Sequence, residues 1–214
     1  MMPTIRQRER RFTPGNSQDG IGGVRSSERA TPGSHAGSHT DERHLDSPAP
    51  YGAEGLDWFA GMGQDNVDDF RLYFEDPDAA RAKLDKDREM VLAASAGDLA
   101  QAFESLLTPA DLAVLKGELA EYVVYGAHEG LAPGSQGWWD DNCTIRPWGF
   151  ELADISVPVL LLHGRQDKFV PFGHGQWLAA HIPGVEARLL DDDGHLTLLP
   201  RRVSEVHSWL SEHL

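Results

Sequence analysis

The apolar positions of the chain follow two patterns, one typical of helices and one typical of buried strands. From residue 55 to about residue 128 the spacing is helical, and Asp76-Pro77 predicts an N-cap and first turn for a helix to about Ala94. Asp98 restarts the pattern after Gly97, and Thr108-Pro109-Ala110-Asp111 predicts the cap of a helix that runs to about Tyr125. The pattern predicts an all-helical block of about four elements.

A strand pattern begins after residue 155. Val157 to Leu162 is a continuous apolar run, as expected of a strand covered on both faces. A helical pattern from about His174 to His181, an alternating segment from Val185 to Leu190 and an amphipathic helix from about Arg201 to His213 follow. This order predicts an α/β fold class, with parallel strands joined by right-handed crossovers.

The first fifty residues show neither pattern. Phe12 is their only aromatic residue, and Gly, Ser, Pro, Thr, Arg and His dominate. Such a segment cannot bury enough apolar surface to offset the entropy lost on ordering. We therefore expect a disordered or unrelated N-terminal tail over 1–50, a helical region over 51–150 and an α/β segment over 151–214.

Charge and cysteine content exclude several classes of function. The 214 residues carry a formal net charge of −15, most of it after residue 50, so we expect no nucleic-acid partner. Cys143 is the only cysteine, which excludes an intrachain disulfide and a multi-cysteine zinc site. No window approaches the roughly 18 apolar residues of a membrane span. We expect a soluble, cytoplasmic protein that does not bind membranes.

An acid and a base each follow one of the predicted strands. Asp167 comes just after the first strand, and His195 comes just after the second. Because the carboxyl ends of parallel strands meet at one sheet edge, these side chains can come together. A carboxylate fixes the imidazole tautomer, so the ring can accept the proton of a nucleophile. The pair predicts two members of a catalytic triad.

Other interpretations of these residues stay open at this stage. Asp167 can serve only to cap a turn, and Asp191 to Asp193 can form a solvated acidic turn or, with His195, a metal site. His163 is more typical of a structural residue at a strand end. The tryptophans at positions 138, 139 and 148 suit either a ligand site or packing of the helical region onto the next domain.

Two segments carry a resemblance to a known family. Leu-Leu-Leu-His-Gly-Arg-Gln-Asp-Lys-Phe-Val-Pro at 160–171 and Asp-Gly-His-Leu at 193–196 resemble the C-terminal part of the α/β-hydrolase family, over residues 154–214. The segment 51–150 resembles the helical cap of such enzymes, and 146–150 resembles the return to the core. The resemblance implies a hydrolase of an ester, amide or related bond in a small molecule. Asp167 is then the triad acid and His195 the base, with no cofactor or metal.

The chain departs from the family pattern in its first half. Members carry the nucleophile in a Gly-x-Ser-x-Gly turn between a strand and a helix. Here Gly15 to Asp19 lacks the final glycine and Pro133 to Gly137 lacks the first, so no nucleophile is identified. With only about two core strands, we expect a partial α/β-hydrolase fold from a truncated gene or a segment translated out of frame upstream of about Ser47.

Two functional hypotheses follow from this combination. The first is an α/β-hydrolase-type enzyme. The second is a non-catalytic, hydrolase-like fragment that acts as a binding or oligomerisation module, either as a homo-oligomer or with a partner that completes its open sheet. A weaker third hypothesis takes the aspartate-nucleophile branch of the family, such as dehalogenases, whose nucleophile would also lie upstream.

Overall fold

One parallel sheet forms the centre of the C-terminal part. The computed structural model of the protein describes residues 42–45, 47–117 and 119–213. Within them, β1 (Glu42–Leu45), β2 (Val159–Gly164) and β3 (Glu186–Leu190) lie in the order β1-β2-β3 and are all parallel. The predicted parallel pairing of the two C-terminal strands is confirmed.

Helices cover both faces of this sheet. Helix α7 (Phe172–His181) follows β2, and helix α8 (Leu198–His213) follows β3. Val159 and Leu161 pack against α7, whereas the alternate residues Leu160 and Leu162 pack against α8. This alternation explains why β2 is apolar from Val159 to Leu162, because successive side chains of a strand point to opposite faces.

Six helices lie between β1 and β2 in the described part of the chain. They are α1 (Gln64–Glu75), α2 (Pro77–Ala93), α3 (Ala96–Ala102), α4 (Pro109–Leu115), α5 (Ala120–Leu131) and α6 (Gln136–Cys143); a short 3-10 helix, Leu152–Asp154, follows them. As predicted, Asp76 caps α2, accepting the N–H of Ala79 at 3.0 Å. No helix among these residues is long and apolar enough to cross a bilayer.

Several predicted boundaries were wrong. Helix α3 is capped by Ser95 rather than restarting at Asp98, which is the third residue of the helix and completes the capping box. The helix predicted to reach Tyr125 ends at Leu115, and α5 begins separately. Helix α6 lies beyond about residue 128, where the helical pattern ended. It buries none of its residues fully, so it has no apolar face that a pattern could reveal.

Strand β1 also corrects the prediction for the N-terminal segment. It lies inside 1–50, for which we predicted disorder, and it is a third strand where about two were expected. Its sequence, Glu-Arg-His-Leu, has no strand pattern, and parallel pairing with the backbone of β2 defines it instead. The following Ala49 is fully buried. Residues 1–41 of the predicted tail lie outside the described residues.

A closed set of hydrogen bonds fixes the start of the helical region. The N–H of Ala49 donates to Nδ1 of His174 at 3.1 Å, and Nε2 of His174 donates to the carbonyl of Trp58 at 2.8 Å. Nε1 of Trp58 donates back to the carbonyl of Ala49 at 2.8 Å. The region ends nearby, because the N–H of Tyr51 donates to the carbonyl of Ile145 at 2.7 Å.

Candidate active site

The turn after β2 holds the carboxylate of Asp167 in a buried position. Its Oδ1 accepts the backbone N–H groups of Phe169 at 2.8 Å and Val170 at 2.9 Å, and the side chain is fully buried. The residue therefore does cap its own turn. These contacts use one carboxylate oxygen and leave the other for a second partner.

That second partner is His195. Its Nδ1 lies 2.9 Å from Oδ2 of Asp167, and the ring of Phe169 stacks on the imidazole at a centroid distance of 4.5 Å. Because a carboxylate oxygen only accepts, Nδ1 carries the shared proton and the neutral ring has its lone pair on Nε2. The His195 side chain is 30% exposed, so solvent or a small molecule can reach the pair.

His163 supports the same turn from beneath. It is fully buried, and its Nε2 donates to the carbonyl of Val170 at 2.9 Å, the residue whose N–H binds Asp167. Burial lowers the pKa of His163 below its ordinary value. There is no room for a side chain at Gly175, since a Cβ there would lie 2.5 Å from the ring of His163. These contacts support the structural interpretation of His163.

The acidic residues before His195 are paired with arginines. Asp193 is buried and accepts from Arg201 at 2.9 Å and from Arg202 at 2.7 Å, while Asp191 pairs with Arg165 at 2.5 Å. Burial acts to raise the pKa of Asp193, but the hydrogen bonds from Arg202 and Arg201 outweigh it and lower that pKa. In the described part of the chain, no group of three or more His, Cys, Asp or Glu residues is arranged to hold a metal.

Asp111 is a site neighbour that the sequence analysis missed. Its Oδ2 accepts from the N–H and hydroxyl of Thr108, and its Oδ1 accepts the N–H of Leu196 at 2.8 Å. The Thr-Pro-Ala-Asp motif predicts the first of these contacts, which belong to a capping box. No sequence signal indicates the second, because its partner is a backbone group 85 residues away.

An apolar cavity lies beside His195. Its volume is about 210 Å³, and it is lined by side chains from α4, α5 and the start of α8, among them Val114, Tyr122, Val123, Leu198 and Leu199. Leu196, next to the histidine, completes its wall. An apolar group of six to eight non-hydrogen atoms fits such a space, since a cavity of about 150 Å³ accepts benzene.

Ser135, the described serine of the two incomplete Gly-x-Ser-x-Gly matches, bonds a residue outside the Asp167–His195 pair. Ser135 donates its hydroxyl to the carboxylate of Asp85 in the helical region, and Ser17 lies outside the described residues. Trp139 packs on Tyr73 at 5.1 Å, and Trp148 packs against the apolar cluster between β2 and α7. Trp138 lines a cavity of about 530 Å³ among the helices. The contacts of Trp148 agree with the packing interpretation, whereas Trp139 packs within the helical region.

Comparisons with known proteins give short matches to hydrolases. The chain is 41% identical over 49 residues to pimeloyl-[acyl-carrier protein] methyl ester esterase of Nitrosomonas europaea, which is 23% of this chain and 19% of that protein. It is 44% identical over 48 residues to 2-hydroxy-6-oxononadienedioate/2-hydroxy-6-oxononatrienedioate hydrolase of Klebsiella pneumoniae, 22% and 17% of the two chains. Human protein ABHD8 matches at 40% over 47 residues, 22% and 11%.

These matches cover only a short segment of this chain and of each relative. No family model matches the chain. The chain spans about a fifth of the length of the esterase and less of the other two relatives. The esterase and hydrolase names support a general relation to hydrolases of the α/β-hydrolase family over a short segment. They do not carry a specific substrate to this protein.

Proposed function

We propose that the chain carries the acid and base of an α/β-hydrolase-type enzyme that cleaves an ester, amide or related bond. The contact between Nδ1 of His195 and Oδ2 of Asp167, at 2.9 Å, is the observation that carries this proposal. It is supported by the burial of Asp167, by the exposure of His195 and by the relatives named as an esterase and a hydrolase.

The proposed chemistry is proton transfer at Nε2 of His195. The neutral ring accepts the proton of an attacking hydroxyl as its oxygen adds to the substrate carbonyl, and the ionised Asp167 stabilises the imidazolium that forms. The imidazolium then returns the proton to the leaving group. Two backbone N–H groups hold the carboxylate in place, so the ring does not need to reorient during the reaction.

We propose that water is the nucleophile when this chain acts alone. The sequence contains no Gly-x-Ser-x-Gly turn, so none of its side chains is assigned as the nucleophile. Water activation by one base lacks the acceleration of covalent catalysis. We therefore expect slow hydrolysis, limited to esters with good leaving groups.

The substrate is proposed to place an apolar group in the cavity beside His195. The cavity walls come from apolar side chains of α4, α5 and α8, which favour a hydrocarbon group over a charged one. Its volume of about 210 Å³ suits a short acyl chain or a small ring.

Hydrolysis of p-nitrophenyl acetate by the full chain tests the proposal. We expect His195→Ala to lower the rate at least tenfold and Asp167→Asn to lower it by a similar factor, because the base and its tautomer control are lost. His207→Ala is the matched control for adventitious catalysis by surface imidazoles, since His207 is exposed on α8. Equal rates for the wild type and His195→Ala would remove His195 from the mechanism.

A further inference from the structure

We infer that Asp111 is a positioning residue for His195, because its carboxylate joins the start of α4 to the loop that carries the histidine. The inference rests on the proposed function only because that proposal makes His195 the base. Its structural content concerns the orientation of the imidazole against Asp167 and can be tested without any activity.

The contacts of Asp111 join two parts of the chain far apart in sequence. Oδ2 accepts from the N–H of Thr108 at 3.2 Å and from its hydroxyl at 2.7 Å, which is the capping box of α4. Oδ1 accepts from the N–H of Leu196 at 2.8 Å. Leu196 directly follows His195, so this hydrogen bond fixes the backbone to which the imidazole is attached.

The loop is shaped to receive this carboxylate. A Cβ added at Gly194 would lie 2.4 Å from Oδ2 and 2.6 Å from Oδ1 of Asp111, which is too close for any side chain. The N–H of Gly194 donates to the hydroxyl of Thr197 at 2.8 Å, which closes the loop on its other side. His195 therefore lies between two residues whose backbone N–H groups are both hydrogen-bonded to side chains.

Burial distinguishes this aspartate from an ordinary helix cap. Asp111 is fully buried, and the donors to its carboxylate are the N–H and hydroxyl of Thr108 and the N–H of Leu196. Helix α3 has the same capping box, in which Asp98 accepts from the N–H and hydroxyl of Ser95. Asp98, however, is exposed. A cap alone does not require the burial seen at Asp111.

The chain thus offers a matched pair of variants, Asp111→Ala and Asp98→Ala. Each removes the carboxylate of one capping box, but only the first also removes the acceptor for Leu196. Two NMR signals of the full chain report on the loop. One is the exchange rate of the Leu196 amide proton, and the other is the low-field Nδ1 proton of His195 in its hydrogen bond to Asp167.

We expect Asp111→Ala to speed Leu196 exchange about tenfold or more and to broaden or remove the Nδ1 resonance. Asp98→Ala should leave both signals as in the wild type. Wild-type exchange and an intact Nδ1 signal in Asp111→Ala would overturn the inference, as would equal changes in both variants. If Asp111→Ala does not fold, Asp111→Leu, which has a similar shape and no acceptor, is compared with Asp98→Leu by the same criteria.

Activity measurements distinguish a failure of this inference from a failure of the proposed function. If wild type and His195→Ala hydrolyse p-nitrophenyl acetate equally, the proposed function fails, but the NMR comparison still decides whether Asp111 positions the ring. If His195 is required for hydrolysis and both NMR signals are unchanged in Asp111→Ala, the positioning role fails alone.

Discussion

Gly164 marks the closest approach between the sheet and the loop that precedes His195. A Cβ at this position would lie 2.4 Å from the carbonyl oxygen of Asp193 and 2.8 Å from that of Gly194. Both are backbone atoms, so they cannot swing aside as a flexible side chain could. The absence of a side chain at this strand end thus lets the acid turn and the histidine loop lie side by side.

We predict that Gly164→Ala lowers the free energy of unfolding by about 1–3 kcal/mol, because the added methyl group forces the two loops apart. Gly126→Ala is the control. Gly126 lies within α5 with open space around it, so the same substitution there should stabilise the protein by about 0.5–1 kcal/mol. Urea denaturation measures both changes, and equal midpoints for the two variants would contradict this account.

At the scale of elements, two buried histidines connect helix α7 and strand β2 to the rest of the fold. His174 of α7 bonds Ala49 and Trp58, and His163 of β2 bonds Val170. Burial lowers the pKa of each, and the repulsion between the two rings acts in the same direction for His174. The negative charge of Asp167 acts to raise both pKa values, but the effect of burial is larger. His195 also faces His163 and lowers its pKa.

We predict that stability falls as the pH is lowered from about 6.5, where the unfolded histidines begin to bind protons that the folded ones do not. Above that pH this contribution is fully present. His174→Gln should show a smaller difference in unfolding free energy between pH 7.5 and 5.5 than the wild type, and exposed His207→Gln should behave as the wild type does. A wild-type protein equally stable at both pH values would refute this.

Sequence patterns predicted elements where the local signal and the final packing agree. Helix α2 has its Asp76 cap, and β2 has four consecutive buried apolar residues from Val159 to Leu162, so both were predicted. Helix α6 and strand β1 lack such signals, since one has little apolar face and the other depends on pairing with β2. The proximity of Asp167 and His195 followed from strand ends. That of Asp111 could not, because a backbone N–H has no sequence signature.

At the scale of the whole molecule, the two edges of the sheet decide how copies of the chain can meet. In the described part, β1 and β3 are the edge strands. On β3, Arg188 forms ion pairs with Glu186 and with Glu205 of α8, and charges of this kind discourage pairing with another strand. The edge at β1 is formed by a strand of only four residues.

We predict that the full chain self-associates, with a second copy extending the sheet beyond β1, because a small parallel sheet offers backbone groups at its edge for pairing. Size-exclusion chromatography with light scattering over a concentration series measures this. The mass should rise above that of the monomer as concentration increases. A monodisperse monomer with a cooperative thermal transition at every concentration would rule it out.

The hydrogen bond between Tyr51 and Ile145 brings the two ends of the helical region together. The polypeptide leaves for the helical region and returns from it at one point, 2.7 Å apart between donor and acceptor. Residues 51–145 therefore form one continuous segment whose two ends are adjacent. Such a segment can be replaced without moving β2 and β3. The cavity walls from α4 and α5 belong to this segment, whereas Asp167 and His195 lie outside it. An exchanged segment that keeps Asp111 and its hydrogen bond to Leu196 can therefore change the walls of the cavity while Asp167 and His195 stay in place.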